Sequence, residues 1–310
     1  MQKQYLVSAL AIETGAICPH VWPRLVCPLC APAAQADELG RTSHSVDADT
    51  VYALVQQALR LSPARVVLRG GETILRQEAL ELLAILRASG VAELALWTAG
   101  PLLARPGLAQ ALQQAGATGV GLVLFGESAA GHDYVTQTPG HFSRVLAGAQ
   151  AARRAGLQVC AIVPVLRPTF RGLQGLVQKA IPAGISSLHF WVPPGPDREA
   201  HPLLAPLPVV APHLQAALHV ARTAGLVVHI SGVPPCQLAG HAALADPDDA
   251  VIATQPRGAP EPEFGPICPP CTWRSRCSGV AAARATAHGW VGVAARTDPF
   301  ALANLPARLT

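Results

Sequence analysis

Arg65-Val-Val-Leu-Arg-Gly-Gly-Glu72 is the stretch that decides how this chain folds. Arg65–Leu68 is short and rich in β-branched residues, so it reads as a strand. It runs into a glycine pair, which lets a small molecule approach the backbone closely, beside a carboxylate able to hold an ammonium group. As an isolated triplet, Gly-Gly-Glu is also an ordinary turn. Downstream, apolar residues at three- and four-residue spacing predict a helix over Arg76–Ala88, stopped at Gly90, and then a strand over Glu93–Trp97.

The same unit recurs in both directions. Strands are predicted at Tyr5–Ile12, Val120–Phe125, Leu157–Val163, Ser187–Val192 and Leu226–Ile230. Helices are predicted at Asp49–Leu61, Gly107–Ala115, His141–Ala155, Leu173–Ala183 and Val209–Ala224, several of them closed by Gly116, Gly156, Gly184 or Gly225. Repeated strand–helix alternation implies an α/β protein with a parallel sheet, here a partial (β/α)6 TIM-like barrel. Chemistry in such barrels sits at the C-terminal ends of the strands. From about Ser231 the alternation gives way to Pro, Gly and Cys. We therefore divide the chain into a barrel over 1–230 and a small cysteine-rich module over 231–310.

Composition narrows the class. The 310 residues are 50% hydrophobic and 14% charged, ample for a large core. Net charge is +4 with no Lys/Arg run, so there is no strong nucleic-acid signal. No run approaches the roughly 20 apolar residues of a membrane helix. Lys3 and the run Tyr5–Ile12 loosely resemble a signal peptide, but Glu13 ends the run and no A-x-A site follows. A buried first strand in a cytoplasmic protein is the expectation, and there thiols stay reduced and clustered C-x-x-C pairs favour metal.

Seven of eight cysteines form two groups, Cys18, Cys27 and Cys30 in the loop after the first strand, and Cys236, Cys268, Cys271 and Cys277 near the end. Three thiolates leave one iron of a cubane open to a substrate or cofactor, whereas four can close a site. Zinc is the alternative at each, with His20 as a fourth ligand in the first group. Cys160, inside the fifth strand, reads as a small core hydrophobe, with a thiol facing the substrate as the other reading. Arg167 follows that strand and could meet a ligand or solvent; His132, His189 and His201 read as structural or exposed. No G-x-S-x-G, P-loop or H-E-x-x-H pattern occurs.

Taken together, these motifs resemble the radical S-adenosylmethionine (radical SAM) enzymes, from about Leu6 to Gly279. Leu10-Ala-Ile-Glu-Thr-Gly-Ala-Ile-Cys18 looks like the family's strand leading into its first cluster cysteine. Arg65–Glu72 looks like its glycine motif. Leu96-Trp-Thr-Ala-Gly100 resembles its third-strand T-N-G, with Ala99 for Asn. Gly121–Gly126, His132-Asp133 and Pro139-Gly140-His-Phe142 match the peptide-modifying branch. The first cysteine motif departs from the family's C-x3-C-x2-C, reading Cys18-x8-Cys27-x2-Cys30 with Leu29 at the aromatic position. We read this as a loop insertion with Cys18 still a ligand; a cluster-free barrel that has lost its chemistry is the alternative. The second group is similar to the SPASM and twitch modules of radical SAM maturases. Ala245 and Ala281 stand where a fuller module places cysteines, so one auxiliary cluster is expected.

The resemblance implies a 4Fe–4S cluster on Cys18, Cys27 and Cys30 that binds SAM. Gly70, Gly71 and Glu72 would hold its amino group, and Thr98 would lie near the ribose. It further implies an auxiliary 4Fe–4S cluster on the other four cysteines and a reductant such as flavodoxin or ferredoxin. Cleavage of SAM would give a 5′-deoxyadenosyl radical that takes hydrogen from a substrate. A peptide or protein side chain is favoured over a small metabolite. Seventeen residues precede Cys18, and no separate peptide-recognition domain is expected in them.

Overall fold

In the computed structural model, residues 9–14, 46–193, 203–244, 262–274, 277, 279–281 and 293 are described. Six βα units and a seventh strand follow one another. The strands are β1 (Ala9–Glu13), β2 (Arg65–Arg69), β3 (Glu93–Thr98), β4 (Gly119–Val123), β5 (Gln158–Pro164), β6 (Ser187–Trp191) and β7 (Val227–Ser231). The helices between them are α1 (Ala48–Leu59), α2 (Ala79–Ala88), α3 (Leu108–Gln114), α4 (Ala129–Thr136), α5 (His141–Arg154), α6 (Leu173–Ala180) and α7 (Leu207–Thr223). All six neighbouring pairs are parallel, in the order β1 to β7, and the sheet curls into a half-barrel.

Alternation along each strand sorts its residues between two faces. Val66, Leu68, Leu94, Leu96, Val120, Leu122, Val159, Ala161, Leu188 and Phe190 point to the helices and form the main core with Leu82, Leu86, Val145, Leu176 and Leu214. The intervening residues, among them Arg69, Trp97, Gly121, Cys160, Ile162, His189 and Ser231, line the concave face. Curvature is visible in one contact: Trp97 on β3 meets His189 on β6 edge-on, with ring centroids 6.0 Å apart. In a flat sheet three strand spacings would be about 14 Å. A second, smaller cluster of Ala99, Val123, Phe125, Val135, Leu166, Leu203 and Leu204 packs near the strand ends.

The expected strands and helices are present, with small shifts at their ends. β4 stops at Val123, two residues before the expected end. Helix α4 was not expected; Ala129–Thr136 has no apolar period and contains Gly131, and the helix is started by Ser128, whose Oγ accepts from the Gly131 amide at 3.3 Å. The glycines expected to stop helices, Gly90, Gly116, Gly156, Gly184 and Gly225, all have positive φ. Beyond β7 come short 3-10 turns at Pro235–Gln237 and Ala239–Leu244 and an antiparallel pair, β8 (Pro262–Glu263) with β9 (Val280–Ala281). No helix among the described residues is long and apolar enough to cross a membrane.

Candidate functional site

The C-terminal ends of β1, β2 and β3 meet at one rim. Leaving β2, the chain reverses through Gly70 (φ 100°) and Gly71 (φ 65°), a left-handed geometry that side chains resist. This turn delivers Glu72 into the interior, 1% exposed. Its Oε2 accepts from the Ala99 amide at 2.9 Å, while Oε1 is buried with no hydrogen-bond partner among the described residues. Burial pushes the Glu72 carboxyl up to about 7, against the opposing pull of the Thr98 hydroxyl and the Ala99 and Ile74 amides. Thr98 is itself fully buried, and its Oγ1 accepts from the Gly100 amide at 3.0 Å. A buried carboxylate with one unmatched oxygen is costly unless a donor or cation completes it.

Thr14, one residue past β1, locks that strand's exit to the same turn. Its hydroxyl donates to the Arg69 carbonyl at 3.0 Å and lies 2.9 Å from the Thr73 hydroxyl; its amide reaches the Arg69 carbonyl at 2.6 Å. Cys18, Cys27 and Cys30 lie outside the described residues, as do His20 and His201.

Two further polar groupings flank the rim. His132 Nδ1 accepts from the Phe125 amide at 3.2 Å, and its Nε2 is 2.8 Å from His141 Nδ1. A backbone amide only donates, so neutral His132 carries its proton on Nε2 and gives it to His141 Nδ1, which fixes both tautomers. Both rings are buried. On the concave face Arg69 stacks over Trp97 at 5.3 Å, and His189 Nε2 lies 2.8 Å from Ser231 Oγ. Trp97 crosses the middle strand only because Gly121 lies beneath it. A Cβ there would sit 2.7 Å from Trp97 Cδ1 and 2.9 Å from Ile162 Cδ1.

Cys160 is half-buried on this face, and burial pushes its thiol up. Arg167 is engaged: its Nε and Nη2 donate to the Leu204 carbonyl at 3.0 and 2.7 Å. Sequence reading missed Thr14, Arg76, Trp97 and the histidine pair's internal bond. Each works through partners distant in the chain, and only the His132–Asp133 motif left a trace.

The second cysteine group does converge. Cys236, Cys268, Cys271 and Cys277 line one cavity of about 400 Å³, open to solvent on one side, with Phe264, Trp273 and Arg274. Repeated tight turns place them: the Cys271 amide donates to the Cys268 carbonyl at 3.0 Å, and the Arg274 amide to the Cys271 carbonyl at 3.2 Å. Burial pushes the Cys277 thiol up to about 11, with the other three cysteines adding to it and the Gly279 amide opposing. Among the described residues, no group of three or more His, Cys, Asp or Glu meets the geometry of a site for a metal ion.

No protein-family model matches the chain. Over 135 residues it is 35% identical to a GTP 3′,8-cyclase of Xanthomonas axonopodis pv. citri (strain 306), covering 43% of this chain and 40% of the cyclase. Among solved structures, Streptococcus suis SuiB bound to S-adenosylmethionine aligns over 73% of this chain and 50% of its own, with TM-score 0.55 and 12% identity. The native anSMEcpe structure with bound AdoMet aligns over 71% and 64%, with TM-score 0.54 and 18% identity. These likenesses support the radical SAM superfamily. The chain spans less than half of the curated radical SAM relative and half of SuiB, and at such identities the solved structures share its fold alone.

Proposed function

We propose that this chain is a radical SAM enzyme acting on a peptide or protein side chain. One observation carries the cofactor half of that reading: the buried Glu72 carboxylate, held at one oxygen by Ala99 and unmatched at the other, behind a Gly70-Gly71 turn at the rim. That arrangement fits an ammonium group. Glu72 Oε1 would accept from the amino group of SAM, the two glycines would let the ligand's methionine end come close, and Thr98 would hold the carboxylate in register. Cys18, Cys27 and Cys30 would hold the 4Fe–4S cluster. When bound, the reduced cluster and SAM supply a 5′-deoxyadenosyl radical that takes hydrogen from the substrate. The barrel's own part is to orient that substrate and keep water out.

Cys236, Cys268, Cys271 and Cys277 would hold one auxiliary 4Fe–4S cluster in a twitch-like module beginning near 231. Four thiols around one open cavity, without the tight grouping of a single-ion site, favour a cluster over zinc. Cluster binding would displace the Cys277 proton, since the thiolate is the ligand. The peptide assignment draws on the His132-Asp133 and Pro139–Phe142 segment, and on fold-level likeness to SuiB solved with its precursor peptide SuiA and to anSMEcpe solved with a peptide. A small-molecule substrate is the second reading, favoured by the cyclase, whose name gives GTP as its substrate. A flavodoxin or ferredoxin would supply the electron.

Anaerobic reconstitution tests this. The chain should bind about seven to eight irons, absorb broadly near 400 nm, and release 5′-deoxyadenosine with dithionite and SAM. A colourless chain holding zinc, with no 5′-deoxyadenosine formed, would mark it as a barrel that has lost SAM chemistry.

A further inference from the structure

Arg76 lies four residues past Glu72 and makes an unusual set of bonds. From a single nitrogen, Nη1, it donates to the Thr14 carbonyl at 2.6 Å and to the Val46 carbonyl at 2.9 Å. Thr14 and Val46 are the described residues on either side of segment 15–45, which carries Cys18, Cys27 and Cys30. The rest of the guanidinium is committed to Glu78: Nε donates to Oε1 at 2.8 Å and Nη2 forms an ion pair with the same carboxylate. The Arg76 side chain is only 9% exposed, so both carbonyls are matched by a charge-assisted donor in a nearly dry place. Arginine suits this task because its planar fork can face the carboxylate on one edge and the carbonyls on the other.

The two ends are also tied to the candidate SAM site. Thr14 bonds the Arg69 and Gly70 carbonyls and the Thr73 hydroxyl, so its exit direction follows the turn that carries Glu72. At the other end, Asp47 caps α1 immediately after Val46, its carboxylate accepting from the Thr50 amide at 2.8 Å. A loop whose two ends are fixed to one rigid turn has far fewer arrangements than one whose ends move apart.

We propose that Arg76 is a positioning residue. It pins both ends of the cysteine-bearing segment to the Gly70–Thr73 turn, and so sets the separation between the iron that binds SAM and the carboxylate that binds its amino group. This rests on the reading that Cys18, Cys27 and Cys30 hold the SAM-binding cluster. Each cofactor anchor alone tolerates displacement; a ligand chelated by both does not.

The test compares Arg76→Met, Arg76→Lys and Glu78→Gln with the unsubstituted chain, full length and reconstituted anaerobically. In the cluster-free chains, hydrogen exchange over 9–14 and 46–51 should rise about tenfold in Arg76→Met, as expected for losing a charge-assisted bond, with β4–β6 unchanged. In the loaded chains, iron content should hold while SAM affinity by equilibrium dialysis falls about tenfold and the SAM-induced change in the cluster's EPR spectrum shrinks. Arg76→Lys keeps donors for the carbonyls but not the fork on Glu78, and should restore part of both effects. Glu78→Gln reports on the ion pair alone and should leave SAM affinity within about twofold. Unchanged exchange in Arg76→Met would overturn the pinning. Faster exchange or a lower Tm with unaltered SAM affinity would reduce Arg76 to a fold-stabilising residue and overturn the positioning role. If the unsubstituted chain binds iron but no SAM, the cofactor reading fails instead, and the exchange data judge the pinning by themselves.

Discussion

The Ala99 amide donates to Glu72 Oε2 at 2.9 Å, so the carboxylate that follows β2 is held by the residue that follows β3. That bond occupies one oxygen and leaves Oε1 as the only buried, unmatched atom of the group. The side chain is thereby fixed in direction before any ligand arrives.

Glu72→Gln keeps this shape and removes the charge. The substituted chain should bind SAM at least about tenfold more weakly, because an amide oxygen attracts an ammonium less than a carboxylate does. It should nevertheless melt no lower than the parent at pH 8, since a buried ion is gone. Equilibrium dialysis and a thermal melt at that pH check both halves.

Stability and SAM binding should run in opposite directions with pH. Glu72 titrates near 4.5 when unfolded and at about 7 when folded. Between those values the folded chain keeps a proton that the unfolded chain has lost, so stability falls as pH rises through this window, by roughly 3 kcal/mol for this group. SAM's ammonium prefers the ionised carboxylate, so affinity should climb as pH approaches and passes 7. Urea titrations from pH 4.5 to 8 measure the first trend, and Glu72→Gln should abolish that part of the slope.

Gly121→Ala should destabilise the barrel by about 1–3 kcal/mol, the range for forcing a methyl into a packed space. The added carbon would meet Trp97 Cδ1 at 2.7 Å and Ile162 Cδ1 at 2.9 Å, and both belong to side chains held on neighbouring strands. In a Trp97→Leu background the same change should cost less than half as much. A double-mutant cycle by chemical denaturation reads the coupling.

Cys271→Ser and Cys27→Ser should each remove about four irons, and their effects should add, because the cysteines belong to separate centres. Only Cys27→Ser should abolish the SAM-dependent spectral change. Equal loss of that change in both would place the seven cysteines in one centre.

The barrel was largely legible because strand–helix alternation with glycine stops leaves a periodic trace. Arg65–Arg69 and Ser187–Trp191 fall within a residue of their expected bounds. Helix α4 was not legible: it is short, lacks an apolar period, and owes its start to a serine side chain. At the site, the convergence of Cys236 with Cys268, Cys271 and Cys277 followed from residue type and spacing. The Arg76 bonds did not, since backbone carbonyls are the same at every position and a sequence carries no sign of which ones a guanidinium will meet. The burial of Thr98 and its bond to Gly100 likewise depend on how β3 ends, not on its motif.

The strand order has a metric consequence. β1 and β7 are the two edges of the sheet, and six inter-strand gaps separate them, about 29 Å along the arc. Thr14 leaves one edge toward the first cysteine group, and Ser231 leaves the other toward the second. The sheet thus works as a bent ruler whose length is set by strand number and whose span is set by curl. Adding or losing one strand would move the two cysteine groups apart or together by a fixed step, whatever their own loops did.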